Sequence, residues 1–218
     1  MDYSNILKNN ILFKGIDETL INNLLKLSTI KVYKETDVIA FENNACESLG
    51  IILEGNISLY KSDQNGNINT VANLNQGDIF GEAILFNNYH KYPVNISSTS
   101  DAKIFYLSKS NILKLSANNE TFINNYLKLL SNKILRLNEN ISINSYSLLR
   151  EKIAYYLVKH RNDNIVELPF DREKFAHYLG VRRPSLSREL SNLKNDGIID
   201  YKKNLILIKE LDILKEML

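Results

Sequence analysis

A helix-turn-helix pattern between residues 170 and 209 constrains the fold of this 218-residue chain more than any other feature. Gly180 falls where a tight turn needs a positive φ, and Pro184 falls in the first turn of the helix that follows. Two helices that cross over such a turn form the unit that places its second helix in the DNA major groove. The segment therefore predicts DNA binding. The apolar positions of the two helices are Phe175, Leu179, Val181, Leu186, Leu190 and Leu193.

Polar and basic positions around this turn supply the candidate DNA contacts. The net charge is only +2, yet Lys and Arg concentrate in the C-terminal part, where phosphate contacts would be needed. Strand-like residues 198–201 and 205–208 flank a polar turn, which predicts a wing against the phosphate backbone. A solvated charged face is the alternative interpretation. The candidate DNA-binding residues are His177, Arg182, Arg183, Pro184, Ser185, Ser187, Arg188, Lys202 and Lys203.

Many short strands are predicted between about residue 28 and residue 107. Runs rich in β-branched and aromatic residues are separated by turns such as Asn65-Gly66, a strong hairpin signal. This spacing is typical of a sandwich or small barrel. A short amphipathic helix is predicted before them, at residues 16–27. The predicted strands are 29–33, 37–41, 49–53, 56–60, 69–74, 94–97 and 103–107.

A helical period replaces the strand pattern from Lys109 onward. Apolar residues there step by 4, 3, 4, 3 and 4 positions, as in the seam of a two-helix coiled coil, which predicts a homodimer. A long helix packed on its own β domain is the alternative. In a third interpretation, one face of the helix packs on the β domain and another face forms the dimer. A further helix is predicted at 147–160. The predicted dimer interface is Ile123, Leu127, Leu130, Ile134, Leu137 and Ile141.

Three parts follow from these changes of period. They are a β-rich domain at 1–108, a long helix with linker at 109–145, for which dimerisation is predicted, and a winged helix-turn-helix at 146–218, together an α+β fold. No apolar run approaches the roughly 18 residues of a membrane span, and the first residues lack a signal-peptide pattern. We therefore expect a cytoplasmic protein.

Metal, cofactor and catalytic chemistry find little support in the sequence. The single cysteine, Cys46, cannot supply a cluster held by four thiolates, and it fits either a redox-sensing thiol or a buried apolar residue. His90, His160 and His177 lack metal-ligand spacing, and no nucleophile motif is present. We expect that the protein binds no metal and no cofactor and that it is not an enzyme. A small-molecule-binding module that acts through protein contacts is the alternative to DNA binding.

The order of β-roll, long helix and winged helix-turn-helix resembles the family of the cyclic-AMP receptor protein and the fumarate/nitrate reductase regulator (CRP/FNR). Residues 77–82, Gly-Asp-Ile-Phe-Gly-Glu, match the family's roll cassette, and residues 179–188 match its turn and recognition helix. The resemblance implies that residues 1–108 form a sensor domain, a jelly-roll-like β-roll of the cyclic-nucleotide-binding-domain fold. It also implies a homodimeric transcriptional regulator that binds a palindromic operator in double-stranded DNA and contacts RNA polymerase.

The resemblance assigns roles to residues of the recognition helix. Arg183 falls at a base- or phosphate-contacting position, and Arg188 falls where an arginine that reads guanine is common. Pro184 stands where the family often has a glutamate. The half-site is therefore expected to differ from the best-known ones.

The sensor half departs further from the family pattern. Gly81 and Glu82 match the cassette, although a structural corner is the alternative role for them. The place of the phosphate-binding arginine reads Lys91-Tyr92-Pro93-Val94, and Lys91, one position off, is a point charge rather than a planar fork. This departure disfavours cyclic AMP as the effector, and a form that is always active stays open. The candidate effector-binding residues are Gly81, Glu82, Lys91 and Tyr92.

Overall fold

The computed structural model describes residues 3–63 and 65–218, so residues 1, 2 and 64 of the predicted β-roll domain lie outside the described residues. The chain divides into two compact units, Met1–Asn132 and Lys133–Leu218. The domain boundaries expected after residues 108 and 145 stay a prediction.

The first unit contains the β-roll, with two helices before the strands and two after them. Helices α1 (Ser4–Asn9) and α2 (Glu18–Leu27) precede the strands, and α3 (Lys109–Asn118) and α4 (Glu120–Ser145) follow them, with α4 continuing into the second unit. The strands are β1 (Thr29–Tyr33), β2 (Val38–Ala40), β3 (Ser48–Glu54), β4 (Ile57–Ser62), β5 (Ile68–Leu74), β6 (Ile79–Phe80), β7 (Asn95–Ser98) and β8 (Ala102–Ser108). In the described residues they form two antiparallel sheets, ordered β1-β8-β3-β6 and β2-β7-β4-β5.

The predicted strands are confirmed, with most of their ends shifted by one or two residues. The predicted helix at 16–27 begins at Glu18, because the Asp17 carboxylate caps it by accepting from the Thr19 amide at 2.6 Å. The sequence did not predict α1 or β6, since six- and two-residue elements are too short to show a period.

The core of the first unit lies on the inner strands of the first sheet. Every residue of β3 from Leu49 to Leu53 is buried, so side chains on both faces of this strand lie in the apolar core. Gly50 leaves room for the Phe80 ring, with which a Cβ at that position would clash. Phe13, Phe105 and Phe122 are fully buried in the same core.

Helix α4 buries one apolar face and exposes another. Phe122, Tyr126 and Leu129 pack into the core of the first unit, a face that the sequence analysis did not single out. Ile123 and Leu130 of the predicted seam are partly buried. The other seam residues are exposed, at 53% for Leu127, 58% for Ile134, 61% for Leu137 and 68% for Ile141. The roll is therefore covered mainly by a face other than the 3.5-residue stripe, and the role of the stripe as a dimer interface stays a prediction.

The second unit is the predicted winged helix-turn-helix. Its elements are α5 (Leu149–His160), β9 (Ile165–Glu167), α6 (Arg172–Tyr178), α7 (Arg183–Asn195), β10 (Ile199–Lys202), β11 (Leu205–Ile208) and α8 (Leu211–Glu216). The strands form an antiparallel sheet ordered β10-β11-β9. The predicted apolar positions are buried in one core, apart from the partly buried Val181. Strand β9 and helix α8 were not predicted.

Candidate functional site

The turn between α6 and α7 has the predicted geometry. Gly180 has a φ of +70°, and the Val181 amide donates to the Ala176 carbonyl at 2.9 Å. Pro184 lies in the first turn of α7, where an amide hydrogen would have no partner within the helix. These local features direct the start of α7 away from α6 and set the orientation of the second helix.

Helix α7 presents its polar face to solvent. Leu186, Leu190 and Leu193 are buried. Glu189 lies at the edge of the buried face, where its carboxylate accepts from the Asn192 amide group at 3.1 Å and lies 3.9 Å from Arg150 Nη1. Leu190 therefore covers the core, as the sequence predicted. The nine candidate DNA-binding residues are all exposed, and they are His177, Arg182, Arg183, Pro184, Ser185, Ser187, Arg188, Lys202 and Lys203.

The wing lies beside the start of the recognition helix. Strands β10 and β11 pair in register from Ile199↔Ile208 to Lys202↔Leu205, and Lys203 at the tip has a φ of +53°. Arg183 and Lys203 line one cleft of about 710 Å³ together with Asp171, Arg172, Glu173, Tyr201 and Asn204. The fold thus brings two predicted DNA-binding residues from separate elements together.

Arg172 is a residue of this surface that the sequence analysis counted only as part of the basic region. Its Nη2 donates to the Lys203 carbonyl at 3.0 Å, and its guanidinium lies 4.8 Å from the centre of the Tyr201 ring. Burial lowers the pKa of Arg172. No sequence signal marks this contact, because its partners are 29 and 31 residues away along the chain.

The candidate effector residues of the roll converge only in part. Gly81 has a φ of +82°, and a Cβ there would lie 3.1 Å from Cys46 Sγ. Tyr92 is buried against Cys46, and burial raises the pKa of both groups. Glu82 is buried, and its backbone carbonyl accepts from the Tyr126 hydroxyl at 2.9 Å. Lys91, in contrast, is exposed.

A cleft of about 360 Å³ opens beside Tyr92. Tyr33 and Tyr106 are among its lining residues, and their hydroxyls lie 2.9 Å apart. The sequence did not predict this cleft, because its walls come from β1, β2, β8 and the segments around residues 44–48 and 92. Its other lining residues are Thr29, Lys31, Ile39, Ala40, Asn44, Ala45, Glu47 and Ser48.

Residues 3–63 and 65–218 hold no group of three or more His, Cys, Asp or Glu side chains placed to bind a metal ion. Within the same residues, no helix has both the length and the apolar character needed to cross a membrane.

Two family models match the chain. A cyclic nucleotide-binding domain model matches residues 30–119, and a Crp-like helix-turn-helix domain model matches residues 151–217. Together they account for more than half of the chain.

Relatives are similar over most of the length. A cyclic AMP receptor protein of Thermus thermophilus is 21% identical over 212 residues, which are 97% of this chain and 98% of the relative. An anaerobic regulatory protein of Bacillus subtilis is 21% identical over 197 residues, 87% of this chain and 83% of the relative. The crystal structure of the Thermus thermophilus catabolite activator protein has a TM-score of 0.56 at 20% identity, and the match covers 95% of this chain and 98% of that one.

The winged helix-turn-helix, joined in one chain to a cyclic-nucleotide-binding-like roll, defines a DNA-binding transcriptional regulator. The chain belongs to the CRP/FNR family of transcriptional regulators, a family of regulators rather than of enzymes.

Proposed function

We propose that the protein is a homodimer that regulates transcription by reading a palindromic operator with helix α7 of each protomer. The observation that carries this function is the exposed polar face of α7, with Ser185, Ser187 and Arg188, beside a wing tipped by Lys202 and Lys203. A two-fold operator then presents its half-sites about 34 Å apart, one duplex turn. RNA polymerase is the protein partner that the family resemblance implies, and DNA binding implies a cytoplasmic location.

The exposed stripe on α4 supports a second copy as the dimer partner. Leu127, Ile134, Leu137 and Ile141 are each more than half exposed and recur at the 3.5-residue spacing of a coiled-coil seam. Contiguous exposed apolar residues mark interaction surfaces, and this spacing matches an identical helix better than a curved sheet.

The test of DNA binding is selection of fragments of the source genome by the purified protein at moderate salt. We expect enrichment of a palindromic site upstream of particular genes. Arg188→Ala should lose preference for one base of the half-site, about 1–3 kcal/mol of discrimination, because an arginine reads guanine through two hydrogen bonds. Lys203→Ala should weaken binding to every sequence and reduce the salt slope by about 1.

Lys215→Gln is the matched control, because it removes one positive charge from α8, outside the candidate DNA-binding residues. Equal losses for Arg188→Ala and Lys203→Ala on every sequence would show that Arg188 does not read a base. Failure of the wild type to bind duplex DNA at low salt would instead favour a module that acts through protein contacts.

We further infer that the effector of the roll, where one is needed, is a small molecule other than cyclic AMP. A cyclic phosphate calls for a cation, but the chain has Tyr92, a buried phenol against Cys46, at that place, while Lys91 faces solvent. Cyclic AMP should therefore leave the melting temperature unchanged in a thermal-shift measurement. A rise with cyclic AMP concentration would contradict this inference.

A further inference from the structure

We propose that Arg172 positions the wing of the helix-turn-helix, so that Lys203 at its tip faces the DNA backbone. This role rests on the proposed function. Arg172 is the first residue of α6, and its Nη2 donates to the Lys203 carbonyl at 3.0 Å. This hydrogen bond joins the start of the first helix to the tip of the wing, 31 residues further along the chain.

The backbone conformation at the tip of the wing is one that the hydrogen bond from Arg172 would stabilise. Lys203 has a φ of +53°, a left-handed conformation that is disfavoured for residues with a Cβ. The next residue is also held, because the Leu168 amide donates to the Asn204 carbonyl at 2.8 Å. Two successive carbonyls of the turn are therefore fixed by the segment that leads into α6 and by α6 itself.

The wing is also linked to the recognition helix, through the ring of Tyr201. The Tyr201 ring lies 4.8 Å from the Arg172 guanidinium and 5.3 Å from Lys194 Nζ, so cations from α6 and α7 both contact it. Lys194 Nζ also lies 2.6 Å from an Asp200 carboxylate oxygen, and the Ser191 and Tyr201 hydroxyls lie 3.3 Å apart. Strand β10 is thus attached to both helices of the DNA-reading unit.

Direct binding of a phosphate is the competing role for Arg172, since it lines the cleft shared by Arg183 and Lys203. Its Nη1 is buried and has no hydrogen-bond partner among the described residues, and its Nη2 already donates to the Lys203 carbonyl. The guanidinium also contacts the Tyr201 ring. Because Nη1 is buried and Nη2 is directed at the Lys203 carbonyl, these contacts favour a positioning role that acts through Lys203.

The salt dependence of DNA binding separates the two roles, because it reports the number of phosphates that the protein neutralises. We would measure affinity against salt concentration for the wild type, Arg172→Gln, Lys203→Ala and the double variant on the selected operator, with Lys215→Gln as the charge-matched control. We expect Arg172→Gln and Lys203→Ala each to reduce the slope by about 0.9, the value of one contact. The double variant should match Lys203→Ala alone.

Hydrogen exchange of the Lys203 and Asn204 amides provides a readout without DNA. Arg172→Gln should speed this exchange, while Lys215→Gln should not. If Arg172→Gln fails to fold, Tyr201→Leu carries the same test, because it removes the ring that the guanidinium contacts and leaves the charge in place.

Two results would overturn the positioning role while leaving the proposed function intact. One is a double variant that loses about two contacts, which would show that Arg172 binds a phosphate itself. The other is normal binding, slope and exchange in Arg172→Gln. Absence of wild-type binding at low salt would overturn the proposed function, and the positioning role with it.

Discussion

The Glu139 carboxylate of α4 lies 2.6 Å from the His160 ring nitrogen Nε2 at the end of α5. The same carboxylate lies 3.2 Å from Lys159 Nζ and is hydrogen-bonded by the Tyr178 hydroxyl. Tyr178 is the last residue of α6, two positions before the turn at Gly180. Within the second unit, Glu139 therefore connects the end of the long helix to both helices that precede the recognition helix.

This cluster predicts a stability that depends on acid pH. Burial raises the pKa of the Glu139 carboxyl, but hydrogen bonds from His160, Tyr178 and Lys159 outweigh burial, and the pKa lies below its ordinary value of 4.5. A carboxyl whose pKa is lower in the folded than in the unfolded chain stabilises the fold at pH values above its unfolded-state pKa. That stabilisation is lost as the pH falls through its folded-state pKa. Between about pH 6 and about pH 3, the free energy of unfolding in urea should fall less for Glu139→Gln than for the wild type.

The exposed Glu216 of α8 offers the control for this comparison. Glu216→Gln should keep the acid dependence of the wild type. An identical pH profile for Glu139→Gln and the wild type would mean that the carboxylate does not stabilise the fold through its charge.

The corner at Gly81 predicts a difference between two glycine substitutions. Gly81 and Gly77 both have a positive φ, +82° and +88°, but only at Gly81 would a Cβ meet neighbours, Cys46 Sγ and Ser48 O, both at 3.1 Å. Gly77→Ala should cost about 1 kcal/mol of unfolding free energy through backbone strain. Gly81→Ala should cost more, because it adds a steric clash. Equal losses in urea unfolding would show that the roll relaxes around the added methyl group.

The exposed stripe of α4 predicts that a single charge breaks the dimer. Leu137→Lys places a charge at an exposed seam position, so the sedimentation coefficient should shift from dimer to monomer at micromolar concentration. Leu113→Lys is the control, because Leu113 is similarly exposed on α3 outside the seam. A wild type that sediments as a monomer, or a Leu137→Lys variant that remains dimeric, would contradict the proposed seam.

Cys46 is predicted to react slowly in the folded protein. It is 1% exposed, and burial raises its pKa from the ordinary value of 9.0, so few molecules carry a reactive thiolate. Labelling with a thiol-specific reagent near neutral pH should be slow in buffer and fast in urea. Equally fast labelling under both conditions would favour a redox-sensing thiol.

Most elements of the fold could be predicted from the sequence, because their signals are local. The strands of the roll, the stripe of α4 and the turn at Gly180 depend on residues a few positions apart. The burial of Phe122 and Tyr126 could not be predicted in the same way, because the 3.5-residue stripe on the other face of α4 is the more regular pattern. The face that packs on the roll follows from the shape of the β-roll.

Sequence by itself determined the order of elements, the family and the polar face of α7, since periodicity, turn chemistry and side-chain charge are properties of short segments. Tertiary structure alone decided which distant groups meet. Arg172 reaches the Lys203 carbonyl, and Glu139 reaches His160, across separations of 31 and 21 residues. Such contacts form only when packed apolar cores bring the segments together, because the loop entropy that opposes them is offset by burial elsewhere in each unit.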